Sequence, residues 1–384
     1  MSVFVHSVRL VDDGRVVEGA WVSFDGERVS ATGTGDGWRD LARPGDDVVD
    51  ATALAGEGAM LTAGFVDIHG HGGAGVSYDE GPEAIRTARA LHRAHGTTRA
   101  VVSLVTAPLE TLERRAARVA DLARTDADIL GSHLEGPFLD RSHRGAHDEG
   151  LLRDPAADAV ARLLKAGRGT VRQVTIAPEL PGGLDAIRQI VASGAAAAIG
   201  HTSADAALCR DAFDAGATIL THAFNAMPGL HHRAPGPVGA AASDPRVTLE
   251  LIADGVHVHP DVLRIGFAAA PGRIALVTDA MAAAGAGDGT FDLGGLPVEV
   301  RGGVARLRDD GAIAGSTSTQ DAALRAAVAS GVDLPDVVHA LTAAPARAIG
   351  RGGDLGSIRT GFLADAVLLD AALSVRRVWT AGRA

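Results

Sequence analysis

The chain has 384 residues, of which 46% are hydrophobic and only 3% aromatic, so it can bury a large core built mainly from aliphatic side chains. Its formal net charge of −11 argues against nucleic acid or an anionic membrane surface as the main partner. The single cysteine excludes an internal disulfide, and the first residues lack the apolar run of a signal peptide or a membrane span, so we expect a cytoplasmic protein.

Both ends of the chain have the pattern of short strands. Val3–Leu10 and Ala20–Phe24 are apolar runs separated by segments rich in Gly and Asp. The same pattern returns after about Leu355, in Ala366–Leu369 and Val375–Trp379. We therefore expect residues 1–60 and 355–384 to form one small β-sandwich domain from both chain termini.

Between these ends, residues 61–354 alternate between strand and helix patterns. Typical helix starts are Thr106 with Pro108, Asp154 with Pro155, and Asp333 with Pro335. Strands that alternate with helices predict an α/β fold with a parallel (β/α)8 TIM barrel. Residues 288–312 are expected to form a β-hairpin insertion, with turns at 301–303 and 309–311. The eight apolar runs that predict the barrel strands are Phe65–Ile68, Ala100–Val105, Ile129–His133, Val171–Ile176, Ala195–Ile199, Thr218–Leu220, Val247–Ile252 and Ile274–Val277.

Polar side chains that can bind a metal follow most of these runs. Active sites of TIM barrels lie at the carboxyl ends of the strands, so these side chains are expected to meet. In His69-Gly70-His71 the period of two places both imidazoles on one face of the strand. The side chains in question are His69 and His71 after the first strand, Glu135 after the third, His201 after the fifth, His222 after the sixth, Asp254 and His257 after the seventh, and Asp279 after the eighth.

Each of these residues alone also has a structural interpretation. The two histidines around Gly70 could be surface residues beside a Gly-rich turn, Glu135 could cap a helix, and His222 could be a core histidine. His92, His95 and His143 are expected to be solvent-facing. Taken together, however, Glu135, His201 and His222 are the nitrogen and oxygen ligand set of a catalytic divalent metal with an open coordination position. Asp279 could take a proton from a metal-bound water, which makes hydrolysis available at neutral pH.

Eight motifs occur along nearly the whole chain: Gly64–Gly72, His133–Phe138, Gly145–His147, Ile199–Thr202, Thr221–Pro228, Asp254–His257, Thr278–Ala280 and Ala314–Ser316. With these motifs the chain resembles the N-acetylglucosamine-6-phosphate deacetylases of the amidohydrolase superfamily. The HxH pair marks only the superfamily, whereas LEGPF together with THxFNAMP and DGxH is specific to this group and its closest relatives.

The resemblance implies a role for each matching residue. Glu135, His201 and His222 would hold the main metal ion, which would be Zn, Fe, Mn or Co. His69 and His71 would hold a second ion, bridged by Glu135, so that a subunit binds one or two ions. Asp279 would be the general base and then the acid, and His147 would stabilise the oxyanion. The remaining substrate contacts would be Asn225, Ala226, Arg233 and His257 at the phosphate, with Arg233 and His257 from the partner subunit of a homodimer, and Ala146, Ile313, Ala314 and Gly315 at the sugar.

The activity implied by the resemblance is hydrolysis of N-acetyl-D-glucosamine 6-phosphate to glucosamine 6-phosphate and acetate. A first alternative is the galactosamine epimer of this substrate. A second is a cyclic amidase or deaminase of the same superfamily, which would prefer a carboxylated lysine in place of Glu135. A third is a non-enzymatic barrel scaffold, but such proteins typically lose metal ligands, and here every ligand is present.

Overall fold

A computed structural model describes residues 2–384. Both ends of the chain contribute to one seven-stranded sheet, in which Ala366–Leu369 pairs with Met60–Ala63 and Val375–Trp379 pairs with Ala366–Leu369. The separate β structure formed by the two chain ends is therefore confirmed, and its strands are hydrogen-bonded as one sheet. The strands are Ser2–Asp12, Arg15–Asp25, Arg28–Thr34, Asp47–Asp50, Met60–Ala63, Ala366–Leu369 and Val375–Trp379.

The sheet follows from alternating side chains and tight turns. The first hairpin closes at Asp13 and Gly14, which both have positive φ angles (51° and 71°), as a two-residue hairpin turn requires. Inward-facing residues such as Val22, Phe24 and Trp379 are buried and form a core of their own. A short 3-10 helix, Gly37–Asp40, and a one-turn helix, Ala51–Ala55, connect the strands.

The eight predicted barrel strands are confirmed, with boundaries that differ by at most a few residues. They are parallel, and each pairs with its neighbour in chain order. Beyond the strand ends, Asp279 N donates to His69 O (2.8 Å) and His71 N donates to Ala280 O (2.7 Å), which joins the last strand to the first. The strands are Phe65–Asp67, Thr97–Val105, Ile129–Glu135, Val171–Ile176, Ala196–Ile199, Ile219–Leu220, Thr248–Leu251 and Ile274–Leu276.

Helices cover the outside of the barrel and turn an apolar face toward it. In Leu109–Leu122, for example, Leu112 and Val119 are buried. The predicted starts at Pro108 and Asp333 agree with the structure, whereas the helix expected to begin at Pro155 begins two residues later, at Ala157. No helix within residues 2–384 combines the length and apolar character needed to cross a bilayer. The helices are Pro82–Ala94, Leu109–Leu122, Ala157–Ala166, Gly183–Ala192, Ala206–Asp214, Gly236–Ser243, Pro260–Ala269, Gln320–Ala329, Leu334–Leu341 and Ala343–Ala348.

The predicted β-hairpin insertion is wrong in one respect, because it contains three antiparallel strands: Gly289–Leu293, Leu296–Arg301 and Val304–Leu307. The first strand was missed because the turn that ends it, at Gly294 and Gly295, was not recognised; both glycines have positive φ angles (61° and 89°). The buried face of the insertion packs against Val105 and Met281. It therefore lies beside the carboxyl end of the barrel, where the candidate site is.

Candidate metal centre and active site

The residues predicted to form the site do meet at the carboxyl ends of the barrel strands; Asp254 and His257 are half-buried, and the other metal-competent side chains are buried. Three of them, His201, His222 and Asp279, have positive φ angles (47°, 25° and 46°) although none is a glycine. Such backbone conformations are unfavourable and persist only where the surroundings hold them, which is typical of functional sites. The strand ends thus fix these side chains at some conformational cost.

Glu135 lies at the centre of the cluster, between two groups of imidazoles. Its Oε1 is 3.2–3.3 Å from the Nε2 atoms of His69, His201 and His222. Its Oε2 is 3.1 Å from His71 Nε2 and 3.6 Å from His147 Nε2. A carboxylate in this position can contact ions on both sides at once, so the arrangement is compatible with one ion or with two.

The ligand atoms form two neighbouring groups of three residues, each close enough together to hold an ion. In one, His69, His71 and Asp279 lie together, with Asp279 Oδ1 3.2 Å from His71 Nε2. In the other, Glu135 lies with His201 and His147. His222 shares this second group, since its Nε2 is 3.0 Å from His201 Nε2. His147, which the resemblance places at the oxyanion, is therefore also within reach of an ion.

The hydrogen bonds at the outer ring nitrogens show that the cluster fits a cation. His201 Nδ1 donates to the carbonyl oxygen of His143 (2.9 Å), and His69 Nδ1 lies 3.0 Å from the carboxylate of Glu250. With the proton on Nδ1, a neutral imidazole directs its Nε2 lone pair toward Glu135. Lone pairs from several rings then converge on a carboxylate, an arrangement that positive charge stabilises and that is typical of divalent metal sites.

The pKa values of the cluster indicate the same need for positive charge. Burial alone would lower the pKa of His71, but hydrogen bonds to Asp279 and Glu135 raise it to about 9. Burial would likewise raise the pKa of Asp279, but the charges of His69 and His71 hold it well below its usual range. Asp279 is therefore ionised at neutral pH, the state in which it can accept a proton.

A cavity of about 340 Å³ opens above the cluster. Among residues 2–384, neither arginine nor lysine lines it. A larger cavity, of about 700 Å³, lies beside the terminal sheet and contains none of the histidines. The predicted site residues that line the 340 Å³ cavity are His71, Glu135, Ala146, His147, His201, His222, Asn225, Ala226, His257, Asp279, Ile313 and Gly315.

Two predictions about the substrate residues need correction. Ala314 is fully buried in the core of the insertion, so its neighbours Ile313 and Gly315 line the cavity and it does not. His257 lines the cavity of its own chain, although the resemblance implied that a partner subunit supplies it. Arg233 is exposed and is not among the lining residues, so its assignment to the phosphate site of a partner subunit stays a prediction.

His257 is prepared to carry positive charge. Burial would lower its pKa, but Asp254, whose Oδ2 is 2.7 Å from His257 Nδ1, raises it above the ordinary value. His147 is the opposite case, because burial lowers its pKa to about 4 and leaves it neutral. The cavity lining therefore includes a neutral imidazole beside Glu135, that of His147, and a more basic one, that of His257.

Several functional residues were missed by the sequence analysis or misjudged. Glu250, within the seventh barrel strand, is fully buried and contacts His69. The only signal for it is an acidic residue inside an apolar run. His92, expected to face solvent, is buried and bonds the carbonyl of Gly72 (2.9 Å). His143, also expected to be only a solvent-facing charge, supports His201 through its carbonyl oxygen and lines the cavity.

Comparisons with known proteins agree with this geometry. The amidohydrolase family profile matches residues 60–384. An N-acetylgalactosamine-6-phosphate deacetylase of Escherichia coli O157:H7 is 39% identical over 364 residues, which cover 91% of this chain and 96% of that protein. An N-acetylglucosamine-6-phosphate deacetylase of Bos taurus is 38% identical over 339 residues, which cover 85% and 83% of the two chains.

Solved structures are similar over the full length of the chain. An aspartate-to-alanine mutant of N-acetyl-D-glucosamine-6-phosphate deacetylase from Mycobacterium smegmatis, in complex with N-acetyl-D-glucosamine-6-phosphate, superimposes with a TM-score of 0.91 at 41% identity and covers 100% of this chain and 98% of that one. The N-acetylglucosamine-6-phosphate deacetylase of Pasteurella multocida has a TM-score of 0.92 at 27% identity, with coverage of 100% and 99%.

Proposed function

We propose that this protein removes the acetyl group from N-acetyl-D-glucosamine 6-phosphate. The chain belongs to the amidohydrolase family and to its amino-sugar-phosphate deacetylases. The products are glucosamine 6-phosphate and acetate. The observation that carries the proposal is the convergence of Glu135, His201 and His222 with Asp279 at the base of a cavity large enough for a sugar phosphate. The reaction is a metal-dependent hydrolysis of a linear amide.

Glu135, His201 and His222 would hold one ion, and His69 and His71 a second. A divalent ion held there supplies a water whose pKa is near 7 instead of that of bulk water. Zn, Fe, Mn and Co all accept this set of nitrogen and oxygen ligands, so the donor set leaves the choice among them open. Because the Glu135 carboxylate contacts His69 and His71 as well as His201 and His222, it is the residue that would be common to both ions.

Asp279 and His147 would carry out the proton transfer and charge stabilisation. Asp279, ionised and next to His71, takes the proton of the attacking water. The water oxygen forms a bond to the acetyl carbon, and the C–N bond breaks as Asp279 returns that proton to the sugar nitrogen. Thr106 Oγ1, which donates to the carbonyl oxygen of Glu135 (3.2 Å), lies 2.8 Å from His147 Nδ1 and helps to orient the ring. His147 Nε2 faces Glu135 and the cavity, the position from which the ring would stabilise the oxyanion.

The phosphate would be held by His257, Asn225 and the backbone of Ala226, and by Arg233 of a second subunit. Arg233 is exposed, and its neighbour Leu230 exposes 53% of its surface, which is high for a leucine. Val256, next to His257, is also exposed (38%). A homodimer that covers these apolar side chains would bring the arginine of one subunit to the cavity of the other, which supplies the cation that the cavity wall lacks.

The galactosamine epimer is the second candidate substrate. It is favoured by the 39% identity and 96% coverage of the E. coli N-acetylgalactosamine-6-phosphate deacetylase. The two sugars differ in the orientation of one hydroxyl group, and Ile313, Gly315 and Ala146 are the lining residues assigned to the sugar. A cytoplasmic location fits both substrates, and the single cysteine, Cys209, is buried and free.

The test is release of acetate by metal-loaded protein. Both N-acetylglucosamine 6-phosphate and N-acetylgalactosamine 6-phosphate should be supplied separately, with acetate and the free amine quantified together. We expect acetate and the free amine to be released in equal amounts from the glucosamine substrate. Its kcat/KM should be higher than that of the galactosamine substrate. A higher kcat/KM for the galactosamine substrate would reverse the assignment of the epimer. Absence of acetate from either sugar, with folded and metal-loaded protein, would contradict the proposed activity.

A further inference from the structure

Glu250 is a fully buried carboxylate beneath the ligand cluster, and neither the proposed chemistry nor the metal ligand set uses it. It lies on the seventh barrel strand, Thr248–Leu251, with a side chain that points into the barrel and none of its surface exposed. A charged group in this position is costly to bury unless its surroundings compensate it. The groups that contact the Glu250 carboxylate therefore indicate its role.

Three donors surround the carboxylate. Oε2 is 3.0 Å from His69 Nδ1 and accepts from the backbone N–H of His222 at 3.2 Å. Oε1 accepts from Gln173 Nε2 at 2.7 Å. The backbone carbonyl of Glu250 also accepts from Ala223 N at 2.7 Å. Glu250 thus contacts the side chain of His69 and the backbone N–H groups of His222 and Ala223. It therefore reaches ligands of both candidate metal positions.

These contacts have a definite consequence for His69. A carboxylate accepts hydrogen bonds and cannot donate them, so the proton of His69 is on Nδ1 and the Nε2 lone pair faces His71, Glu135 and Asp279. The ring cannot rotate without losing this bond. In metal sites, a carboxylate behind a histidine ligand orients the ring and makes it a stronger donor.

We propose that Glu250 is a positioning residue of the metal centre, which fixes His69 toward the ion at the His69/His71 position and holds the backbone of His222 at the other. This inference rests on the metal-dependent chemistry proposed above, but not on the identity of the sugar. His222 has a positive φ angle (25°), so a hydrogen bond to its N–H helps to maintain a conformation that the residue would otherwise avoid.

Glu250→Gln is the sharpest variant, because it removes the charge and preserves the shape. One amide oxygen remains for His69 and His222, and the new NH2 group faces Gln173. The Oε1 atom of Gln173 has no hydrogen-bond partner among residues 2–384, so its amide can turn over and accept from the new group. The barrel should therefore fold around the substitution.

The experiment is a titration of metal-free protein with Co²⁺ or Zn²⁺ alone, in competition with a chromophoric chelator and without sugar. His71→Ala identifies which dissociation constant belongs to the His69/His71 position. We expect Glu250→Gln to weaken that constant by about 10- to 100-fold and to change the visible spectrum of the cobalt protein, whereas the other constant changes much less. If Glu250→Gln does not fold, Glu250→Asp moves the charge away from His69 and should weaken the same constant.

Gln173→Met is the matched control. It removes the third donor to the carboxylate but leaves the contact with His69, so both metal dissociation constants should stay as in the wild type. The proposal is overturned if folded Glu250→Gln binds both ions as the wild type does, or if the wild type binds a single equivalent. Because no substrate is present, failure of the deacetylase assay and failure of this inference are separate results.

Discussion

The metal cluster and the phosphate side of the cavity are built in different ways. The cluster of His69, His71, Glu135, His201 and His222 is buried, and further hydrogen bonds hold the outer ring nitrogens of His69 and His201. At the phosphate side, Arg233 lies exposed on a loop.

Under the proposed function, one chain supplies all the groups proposed for the chemistry, whereas the cation proposed for the phosphate, Arg233, comes from a second subunit. Buried ligands on rigid strands give the accuracy that catalysis needs. A loop cation can be brought to the substrate by a second subunit. If this comparison is correct, changes to the cluster should abolish turnover, whereas changes to the phosphate side should reduce selectivity and affinity.

The largest expected effect comes from removal of the metal. Dialysis against a chelator should abolish acetate release, because without an ion the attacking water keeps the pKa of bulk water. Addition of Zn²⁺, Fe²⁺, Mn²⁺ or Co²⁺ should restore part of the activity. The measurement is the rate of acetate release alongside elemental analysis of the same sample. Full turnover by protein that elemental analysis shows to be metal-free would contradict the assignment of the cluster.

Asp279→Asn should have the next largest effect. The amide keeps the size of the side chain but cannot accept the proton of the attacking water, so kcat should fall on the order of a hundredfold or more. KM should change little, because the ion-pair contacts of Asp279 are with His69 and His71 and none is with a proposed phosphate residue. The control is metal content, which must match the wild type. A metal-loaded, folded variant with nearly normal kcat would assign the base to another residue.

Much of this contrast could be predicted from the sequence, since barrel strands are apolar runs and ligands at strand ends must converge once the barrel closes. His69, Glu135 and Asp279 were found in this way. Glu250 could not be found, because its contact with His69 joins residues 181 positions apart and depends on how the barrel closes. The positions of Ala314 and His257 were also wrong, because motif matching identifies a residue but does not give the direction of its side chain or the subunit to which it points.

Arg233→Ala tests the phosphate side directly. Loss of one charge-assisted hydrogen-bonding group of about 1.5–3 kcal/mol should lower kcat/KM for the phosphorylated sugar roughly 10- to 100-fold. Unphosphorylated N-acetylglucosamine should be a far poorer substrate for the wild type and nearly unaffected by the substitution. Arg264→Ala, another exposed arginine on the helix after the seventh strand, is the control and should behave as the wild type. Unchanged kinetics in Arg233→Ala would mean that the phosphate binds elsewhere.

Mixed dimers can show which subunit supplies the arginine. When Arg233→Ala and Asp279→Asn chains are co-expressed, two-fold symmetry makes about a quarter of all sites combine an intact Asp279 with an intact Arg233 from the partner. Activity should then exceed that of either variant alone. If Arg233 serves the cavity of its own chain, no such site forms and the mixture stays as inactive as its parents.

The smallest effect expected on the phosphate side concerns the charge of His257. Asp254 raises the pKa of His257, and the imidazolium form binds a phosphate dianion better than the neutral form does. KM for the phosphorylated sugar should therefore be lowest at pH values below the raised pKa and should increase as the pH rises through it. Asp254→Asn lowers that pKa, so the increase in KM should begin at a lower pH, while kcat, which depends on the cluster, keeps its own pH profile. A shift of roughly one pKa unit changes the charged fraction of His257 by at most tenfold, so the change in KM should stay within that factor.

Asp261→Asn is the matched control. Asp261 lies beside His259 and outside the cavity, and both side chains are about 70% exposed. If KM follows the same pH profile in Asp254→Asn as in the wild type, the phosphate does not depend on the charge of His257, and the anion is held by Arg233, Asn225 and backbone N–H groups alone.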